Sequence, residues 1–236
     1  MKIALIGGGA MGRLVSAQAK AAGDEIGAIV TSREGNKSVA EVAALICGHD
    51  VAIDFSIGTA VLKNIGACAE AGVPLVEGTT GWQDKETEVR RIVAEHEGAL
   101  VYGANFSIGV NVFYRIVSQA ASLMTVLEQY EAFIEEEHHL RKRDAPSGTA
   151  LELKKLMAKD ISRDIPIASL RAGHIPGTHR VGFDSPADQI TLTHMARSRE
   201  GFAAGALLAA RWIVGRKGVY EFREVIDEIL KDRASV

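Results

Sequence analysis

The sequence has few of the features that mark secreted or membrane-spanning proteins. Its 236 residues include two cysteines, Cys47 and Cys68, which lack metal-ligand spacing and are too few for a disulfide framework. The longest apolar stretch, Phe202 to Val214, is interrupted by Arg211 and is shorter than the ~20 residues that span a bilayer. The apolar N-terminus meets three glycines before it reaches the ~7–15 apolar residues of a signal peptide. We therefore expect a soluble, cytoplasmic protein that enters no membrane.

The chain also lacks a dominant charge. Its 27 Lys and Arg residues against 30 Asp and Glu residues leave a net charge of −3, so we expect no nucleic acid as a partner. Hydrophobic residues make up 47% of the chain, which is enough for a packed core and excludes intrinsic disorder. A chain of this length forms one large domain or two modest ones.

The first hundred residues alternate β-type runs with helical runs. The β-type runs are Lys2 to Ile6, Ile26 to Val30, Val51 to Phe55, Pro74 to Glu77 and Ala99 to Tyr102, and the helical runs are Arg13 to Ala22, Ala60 to Ala71 and Asp84 to Glu97. Strands that alternate with helices of ~10–15 residues predict a parallel sheet with helices on both faces. The predicted fold class is therefore α/β, with an N-terminal Rossmann-like domain.

The pattern changes after Ala104. The segments that follow are helical (Asn111 to Leu127, Ser147 to Met157, Phe202 to Val214, Tyr220 to Leu230) or extended (Tyr130 to Glu137, Ala168 to Gly173, Thr178 to Phe183, Gln189 to His194). Helices packed on mostly antiparallel strands predict a second, α+β domain. The boundary is expected near Ala104-Asn105.

A glycine-rich turn follows the first strand. The run Gly7-Gly8-Gly9-Ala10-Met11-Gly12 matches G-x-G-x-x-G, opens a helix and lies in a βαβ unit. The glycines permit close approach of the backbone, and the free N–H groups of the helix can bind a pyrophosphate. A glycine cluster can also be only a tight turn, but this context favours dinucleotide binding.

The end of the second strand bears on which dinucleotide binds. NAD-selective sites place Asp or Glu there, whereas this chain has Thr31-Ser32-Arg33. Two hydroxyls and Arg33 can accept a 2′-phosphate, which predicts that NADPH is favoured or at least tolerated. Arg33 could instead be a solvated loop charge, and Glu34 could still reach a ribose, which would allow use of both NADPH and NADH.

A second candidate site lies between Glu137 and Ala150. Adjacent histidines, His138 and His139, stand near three cations and a Ser-Gly-Thr turn that enters a helix. Ser147 or Thr149 can cap this helix while its free N–H groups accept a carboxylate, and a histidine can exchange a proton near neutral pH. The same residues would also suit a solvated basic loop. Adjacent histidines without a nearby cysteine or well-spaced carboxylate are poor metal ligands, so we expect no metal.

The stretch from Glu136 to Ala150 resembles the signature E-x-H-H-x-x-K-x-D-A-P-S-G-T-A of the 4-hydroxy-tetrahydrodipicolinate reductase (dihydrodipicolinate reductase) family. Further matches follow in chain order at Gly7 to Gly12, Ile53 to Ser56, Gly78 to Gly81, Ala104 to Asn111, and Thr193 to Phe202. The resemblance implies an NAD(P)H-dependent reduction of 4-hydroxy-tetrahydrodipicolinate to tetrahydrodipicolinate with loss of water, in lysine biosynthesis through diaminopimelate.

The resemblance also implies individual roles. His138 would be the catalytic proton donor or acceptor, and Lys142 would be the proton donor. The substrate carboxylates would be bound by His139, Ser147, Gly148 and Thr149. Together with the turn and the strand end described above, the expected cofactor-binding residues are Gly7, Gly8, Gly9, Ala10, Met11, Gly12, Thr31, Ser32, Arg33, Phe55, Ser56, Gly78, Thr79, Thr80, Gly103, Ala104, Asn105 and Phe106.

At the level of domains, the resemblance implies a discontinuous arrangement. Residues 1–104 would bind the dinucleotide, and a C-terminal helix at 216–236 would return to them. Residues 105–215 would bind substrate and form a homotetramer. The expected partners are therefore NADPH or NADH, a small dicarboxylate and further copies of this chain.

Two other functions share part of this pattern. Another two-domain dehydrogenase, acting on aspartate or homoserine, would explain the glycine turn but not the His-His-Lys and Ser-Gly-Thr block. A non-catalytic redox sensor would bind NADPH without consuming it. It would need a DNA-binding or partner-binding segment, and no winged helix or basic tail is visible in the sequence.

Overall fold

The computed structural model describes residues 1–34 and 36–234 and divides this part of the chain into two compact units. Unit 1 contains Met1–Ile108 and the segment that begins at Arg199, and unit 2 contains Gly109–Ser198. Within the described residues, no helix is both long enough and apolar enough to cross a membrane.

Unit 1 is built on a parallel sheet that, within the described residues, has six strands. They are β1 (Lys2–Ile6), β2 (Glu25–Val30), β3 (Val51–Asp54), β4 (Leu75–Glu77), β5 (Ala99–Tyr102) and β10 (Gly218–Glu221). The sheet order is β10-β5-β4-β3-β1-β2, with every pair parallel. β3 and β4 are buried along their whole length, as expected for strands covered on both faces. The predicted Rossmann-like α/β class is confirmed.

The helices of unit 1 connect and cover these strands. They are α1 (Ala10–Ala21), α2 (Val39–Ile46), α3 (Val61–Glu70), α4 (Glu86–Glu95), α7 (Glu200–Ile213) and α8 (Phe222–Ala234). Helix α2 is not predicted from the sequence, although Ser38 and Glu41 form a capping box at its start.

The return of the chain to unit 1 begins earlier than predicted. We expected residues 105–215 in the second domain, but the structure assigns α7 to unit 1, where it packs on α1 and on β3, β4 and β5. Its buried face consists of small and aliphatic residues, namely Ala203, Gly205, Ala206, Leu207, Ala209, Ala210 and Ile213. The helix predicted at 216–236 is instead strand β10 followed by α8, and its last residues, Ser235 and Val236, lie outside the described residues.

Unit 2 is a mixed sheet that, in the described part of the chain, has four strands in the order β7-β6-β8-β9. The elements are α5 (Ile108–Met124), β6 (Glu131–His138), α6 (Gly148–Met157), β7 (Ile167–Arg171), β8 (Thr178–Asp184) and β9 (Gln189–Met195). The pairs β6–β8 and β8–β9 are antiparallel and β6–β7 is parallel. Apolar residues of α5 and α6, such as Val117 and Leu153, share a core with Ile134 and Val181 of the sheet. The sequence predicts that the second domain is of the α+β class, and unit 2 has this architecture.

Gly205→Ala and Gly201→Ala, four residues apart in α7, should change stability in opposite directions. A Cβ at Gly205 would lie 1.7 Å from the carbonyl oxygen of Phe106, so the backbone must move, and such overpacking costs about 1–3 kcal/mol. A Cβ at Gly201 would meet Ser107 Oγ at 3.9 Å, and alanine is up to about 1 kcal/mol better than glycine in a helix. Urea unfolding measures both values, and equal effects would contradict the close packing of α7.

Candidate functional site

The glycine turn of unit 1 has the geometry that close backbone approach requires. Gly7 has φ +102°, and a Cβ there would lie 2.4 Å from the carbonyl oxygen of Phe55. A Cβ at Gly12 would lie 2.0 Å from the carbonyl oxygen of Gly7. Helix α1 starts after Gly9, and its first turn, Ala10 to Arg13, carries no acidic side chain. Its first N–H groups have no partner within the helix, so they are available to an anion.

The other predicted cofactor residues of unit 1 follow neighbouring strands. Phe55 and Ser56 follow β3, Thr79 lies in the loop after β4, and Gly103 to Phe106 follow β5. The strand order reverses between β1 and β3, and ligands of such sheets bind outside the carboxyl ends of the strands at this switch point. The glycine turn and the loops after β3 and β4 therefore lie together at the carboxyl ends of the central strands.

Two residues of this group are less accessible than the sequence suggests. The ring of Phe106 is 2% exposed and packs 4.6 Å from the ring of Phe222, measured between centroids. Any contact of Phe106 with a ligand would therefore come from its backbone. The Asn105 side chain accepts a hydrogen bond from the Ser107 N–H at 2.8 Å.

At the end of β2, an acid occupies the donors that were expected to serve a phosphate. The N–H and the hydroxyl of Thr31 both donate to Glu34 Oε2 at 2.8 Å. These bonds from Thr31 lower the pKa of Glu34, so it is a carboxylate at neutral pH. Ser32 and Arg33 remain exposed. The expectation that Thr31 offers its donors to a 2′-phosphate is therefore corrected, because Glu34 already accepts them.

The candidate site of unit 2 is built by one cross-strand row. Ser169, Glu136, His179 and His194 are Cα partners across β7, β6, β8 and β9, so their side chains point to the same face. The next row on that face contains Ile134 and Val181 of the apolar core. The site is thus the polar end of a face that is otherwise packed.

Glu136 is the centre of this group. The residue is 1% exposed. Its Oε1 accepts hydrogen bonds from Arg171 Nη2 at 2.6 Å and from the Ser147 N–H at 3.3 Å. Its Oε2 accepts a hydrogen bond from His138 Nδ1. Burial alone would raise the pKa of Glu136, but the bonds from Arg171, Ser169 and His138 lower it to about 2. Glu136 is therefore an anion at neutral pH.

The two buried histidines are neutral. Burial lowers the pKa of His138, and the positive charges of Lys142 and Arg171 lower it further. The hydrogen bond and the charge of Glu136 raise this pKa and offset part of the shift. Because its Nδ1–H is bound to Glu136, its Nε2 carries the lone pair. Burial and the neighbouring His138 lower the pKa of His179 to about 4. The two rings are 5.1 Å apart in an edge-to-face arrangement.

Ser147 links His179 to the start of α6. Ser147 Oγ accepts the Ala150 N–H at 3.2 Å and forms a hydrogen bond with His179 Nε2 at 3.0 Å. The predicted helix cap at Ser147 is therefore present. Gly148 and Thr149 are the first residues of α6, and their N–H groups have no partner within the helix.

The two remaining predicted residues lie closer to the surface. Lys142 Nζ donates to Asp144 Oδ2 at 2.8 Å, with the Lys142 side chain 24% exposed. His139 is half-buried, and its Nδ1 has no hydrogen-bond partner among the described residues.

A metal could be held by Glu136, His138 and His179, since their ligand atoms lie within 4.8 Å of one another. However, the atoms involved already have partners: Glu136 bonds to Arg171 and His138, and His179 bonds to Ser147. A cation would also have to approach the Arg171 guanidinium. The donor set therefore suits proton transfer and anion binding better than metal binding.

The sequence pattern does not predict Arg171 or His179 as site residues, and it predicts no role for Glu136. The alternation on β6 contained a signal, because polar Glu136 and His138 continue the inward positions of Ala132 and Ile134. Arg171 and His179 lie on other strands, and no local pattern connects them to β6.

Comparisons with known proteins find one family along nearly the whole chain. The family model "Dihydrodipicolinate reductase, N-terminus" matches residues 1–106, and "Dihydrodipicolinate reductase, C-terminus" matches residues 109–226. The 4-hydroxy-tetrahydrodipicolinate reductase of Christiangramia forsetii is 37% identical over 98% of this chain and 100% of that protein. The same enzyme from Neisseria gonorrhoeae is 35% identical over 91% of this chain and 86% of that protein.

Among solved structures, a dipicolinate-bound dihydrodipicolinate reductase from Paenisporosarcina sp. TG-14 has a TM-score of 0.79 at 21% identity. The match covers 94% of this chain and 97% of that one. It supports the fold.

The contribution of His179 to stability should rise with pH between about 4 and 6.5, because the unfolded chain protonates His179 in that range and the folded chain does not. Its share of the slope is at most about 1.4 kcal/mol per pH unit. His179→Gln should remove this share, as measured by urea unfolding at several pH values. His96→Gln, at an exposed position, controls for the loss of a histidine; an unchanged slope in His179→Gln would contradict the assignment.

Proposed function

Since the chain belongs to the dihydrodipicolinate reductase family, we propose that it catalyses the NAD(P)H-dependent reduction of 4-hydroxy-tetrahydrodipicolinate to tetrahydrodipicolinate with loss of water. This reaction belongs to lysine biosynthesis through diaminopimelate. The observation that carries the proposal is the family match along nearly the whole chain, combined with the buried Glu136–His138–Arg171 group beside the start of α6.

The cofactor is proposed to bind unit 1. When bound, NAD(P)H supplies a hydride. The glycine turn fits its pyrophosphate, because Gly7 and Gly12 leave no room for a Cβ and α1 directs its first N–H groups outward. The loops after β3, β4 and β5 are proposed to hold the nicotinamide end.

The dicarboxylate is proposed to bind unit 2. The first N–H groups of α6, at Gly148 and Thr149, offer hydrogen bonds to a carboxylate, and the half-buried ring of His139 is proposed to add another. Lys142 adds a positive charge. That the Paenisporosarcina relative was solved with dipicolinate, a planar dicarboxylate, supports this assignment.

We assign different proton roles to Lys142 and His138. Hydride addition to the conjugated imine leaves an enamine, and a proton must then be delivered to its carbon. The Lys142 ammonium, held by Asp144, is proposed to donate this proton. Neutral His138 has its tautomer fixed by Glu136, so its Nε2 can accept and return a proton.

The protein is further proposed to act as a homotetramer in the cytoplasm. On the sheet face of unit 2 opposite the core, Leu170 and Met195 end one cross-strand row and are 50% and 63% exposed. Exposed apolar residues on a sheet face suit contact between copies of the chain. Both cysteines are free thiols, which suits a reducing compartment.

His138→Gln and Lys142→Ala should each lower turnover about 10²–10⁴-fold, because a positioned proton donor or acceptor is lost. Turnover is measured as NADPH oxidation with enzymatically generated substrate. Cofactor affinity should not change, since both residues belong to unit 2. Lys155→Ala, which removes a 75% exposed lysine of α6, is the control. Near-normal turnover in the double variant would refute the assignment, and NADPH binding without turnover in the wild type would favour the redox-sensor function.

Glu34→Gln should shift cofactor preference towards NADPH. Glu34 follows β2, where an NADH site places the acid that binds the ribose hydroxyls, and its carboxylate would repel a 2′-phosphate. Its removal should weaken NADH binding and strengthen NADPH binding, each by about tenfold if one charged contact is involved. Arg33→Ala should weaken NADPH binding alone. Fluorescence titration gives both dissociation constants, and equal shifts for the two cofactors would exclude this region from recognition of the phosphate.

A further inference from the structure

Two carboxyl groups are buried side by side in unit 1, at the ends of β3 and β4. Asp54 ends β3 and Glu77 ends β4, and they are direct Cα partners in this parallel pair. Both residues are 0% exposed. Each directly precedes a loop proposed to contact the cofactor.

Only one of the two carboxyls can be ionised. Asp54 receives neutral donors: the Ser56 N–H at 2.7 Å, Asn64 Nδ2 at 2.7 Å and Thr79 Oγ1 at 3.4 Å. Two buried carboxylates next to each other, with neutral donors, cannot both carry a charge. Burial and the charge of Asp54 raise the pKa of Glu77 well above its usual range.

The proton is best placed on Glu77. Asp54 accepts several donors, whereas Glu77 Oε1 accepts the Thr79 N–H at 2.7 Å and the buried Glu77 Oε2 has no donor among the described residues. An unpartnered buried oxygen next to a carboxylate is satisfied if it carries a hydrogen and donates it. Glu77 then acts as a donor to Asp54.

These bonds join the two loops to each other. Asp54 binds the Ser56 N–H, Glu77 binds the Thr79 N–H, and Thr79 Oγ1 accepts the Ser56 N–H at 3.0 Å while it donates to Asp54. The backbone of Ser56 and of Thr79 is therefore fixed by the two carboxyls. If either carboxyl lost these hydrogen bonds, the backbone of both loops would lose its fixed position.

We propose that Asp54 and Glu77 form an acid–carboxylate pair that positions the Ser56 and Thr79 loops to bind the nicotinamide half of the cofactor. This inference rests on the proposed function, because it requires NAD(P)H to bind unit 1. Glu77 is a positioning residue, since it acts through the loop that follows it.

The test compares two substitutions of similar size. Glu77→Gln keeps an acceptor for the Thr79 N–H and a donor for Asp54, so its NADH and NADPH dissociation constants should stay within about twofold of wild type. Glu77→Met removes both, and both constants should rise about tenfold. ADP-ribose lacks nicotinamide, so its binding should remain unchanged in either variant. Glu77→Asp has a side chain that is one methylene shorter, so its carboxyl should not reach these partners and its dissociation constants should rise as in Glu77→Met. If Glu77→Met does not fold, Glu77→Asp is used in its place.

The outcomes separate the two proposals. If wild-type protein binds neither NADH nor NADPH, the proposed function fails and the positioning role fails with it. If the wild type binds them and Glu77→Met or Glu77→Asp binds NADH equally well, the positioning role alone is overturned. Equal weakening of ADP-ribose and NADH, or a Glu77→Gln defect as large as that of Glu77→Met, would also overturn it.

Discussion

The buried ion pair between Glu136 and Arg171 organises the polar end of unit 2. Arg171 Nη2 binds both the Glu136 carboxylate at 2.6 Å and the Asp144 carbonyl oxygen at 2.5 Å, so it joins β6, β7 and the loop before α6. Loss of one partner from a buried pair costs about 3–5 kcal/mol, because the other charge remains unpaired. With Glu136 fixed, the tautomer of His138 and the position of the Ser147 N–H are fixed as well.

Two buried glutamates of this chain show how environment decides protonation. Glu136 and Glu77 are both inaccessible to solvent and both end or nearly end a strand. Glu136 has a guanidinium beside it and is ionised, whereas Glu77 has Asp54 beside it and holds a proton. The ionised acid orients a group that exchanges protons, and the neutral acid serves only as a hydrogen-bond donor and acceptor within the backbone network.

The parts of the fold that depend on local pattern were predictable. The run from Gly7 to Gly12, the alternating strands and the Ser147 cap all follow from residues close together in sequence. The long-range parts were not: α7 returns to unit 1 because Gly205 and its alanines permit close packing on distant strands. Likewise, Arg171 and His179 join Glu136 only through the register of β6 with β7 and β8.

The division of unit 1 into two chain segments affects the order in which the protein can fold during its synthesis. Its sheet gains the edge strand β10, and its cover gains α7, only from residues after Arg199. During synthesis from the N-terminus, the whole of unit 2 is made before these elements. The first 108 residues must therefore wait with β5 unpaired on one side and the α7 face of the sheet uncovered. Unpaired strand edges and exposed apolar surfaces promote aggregation. This protein should therefore be most prone to aggregate late in translation.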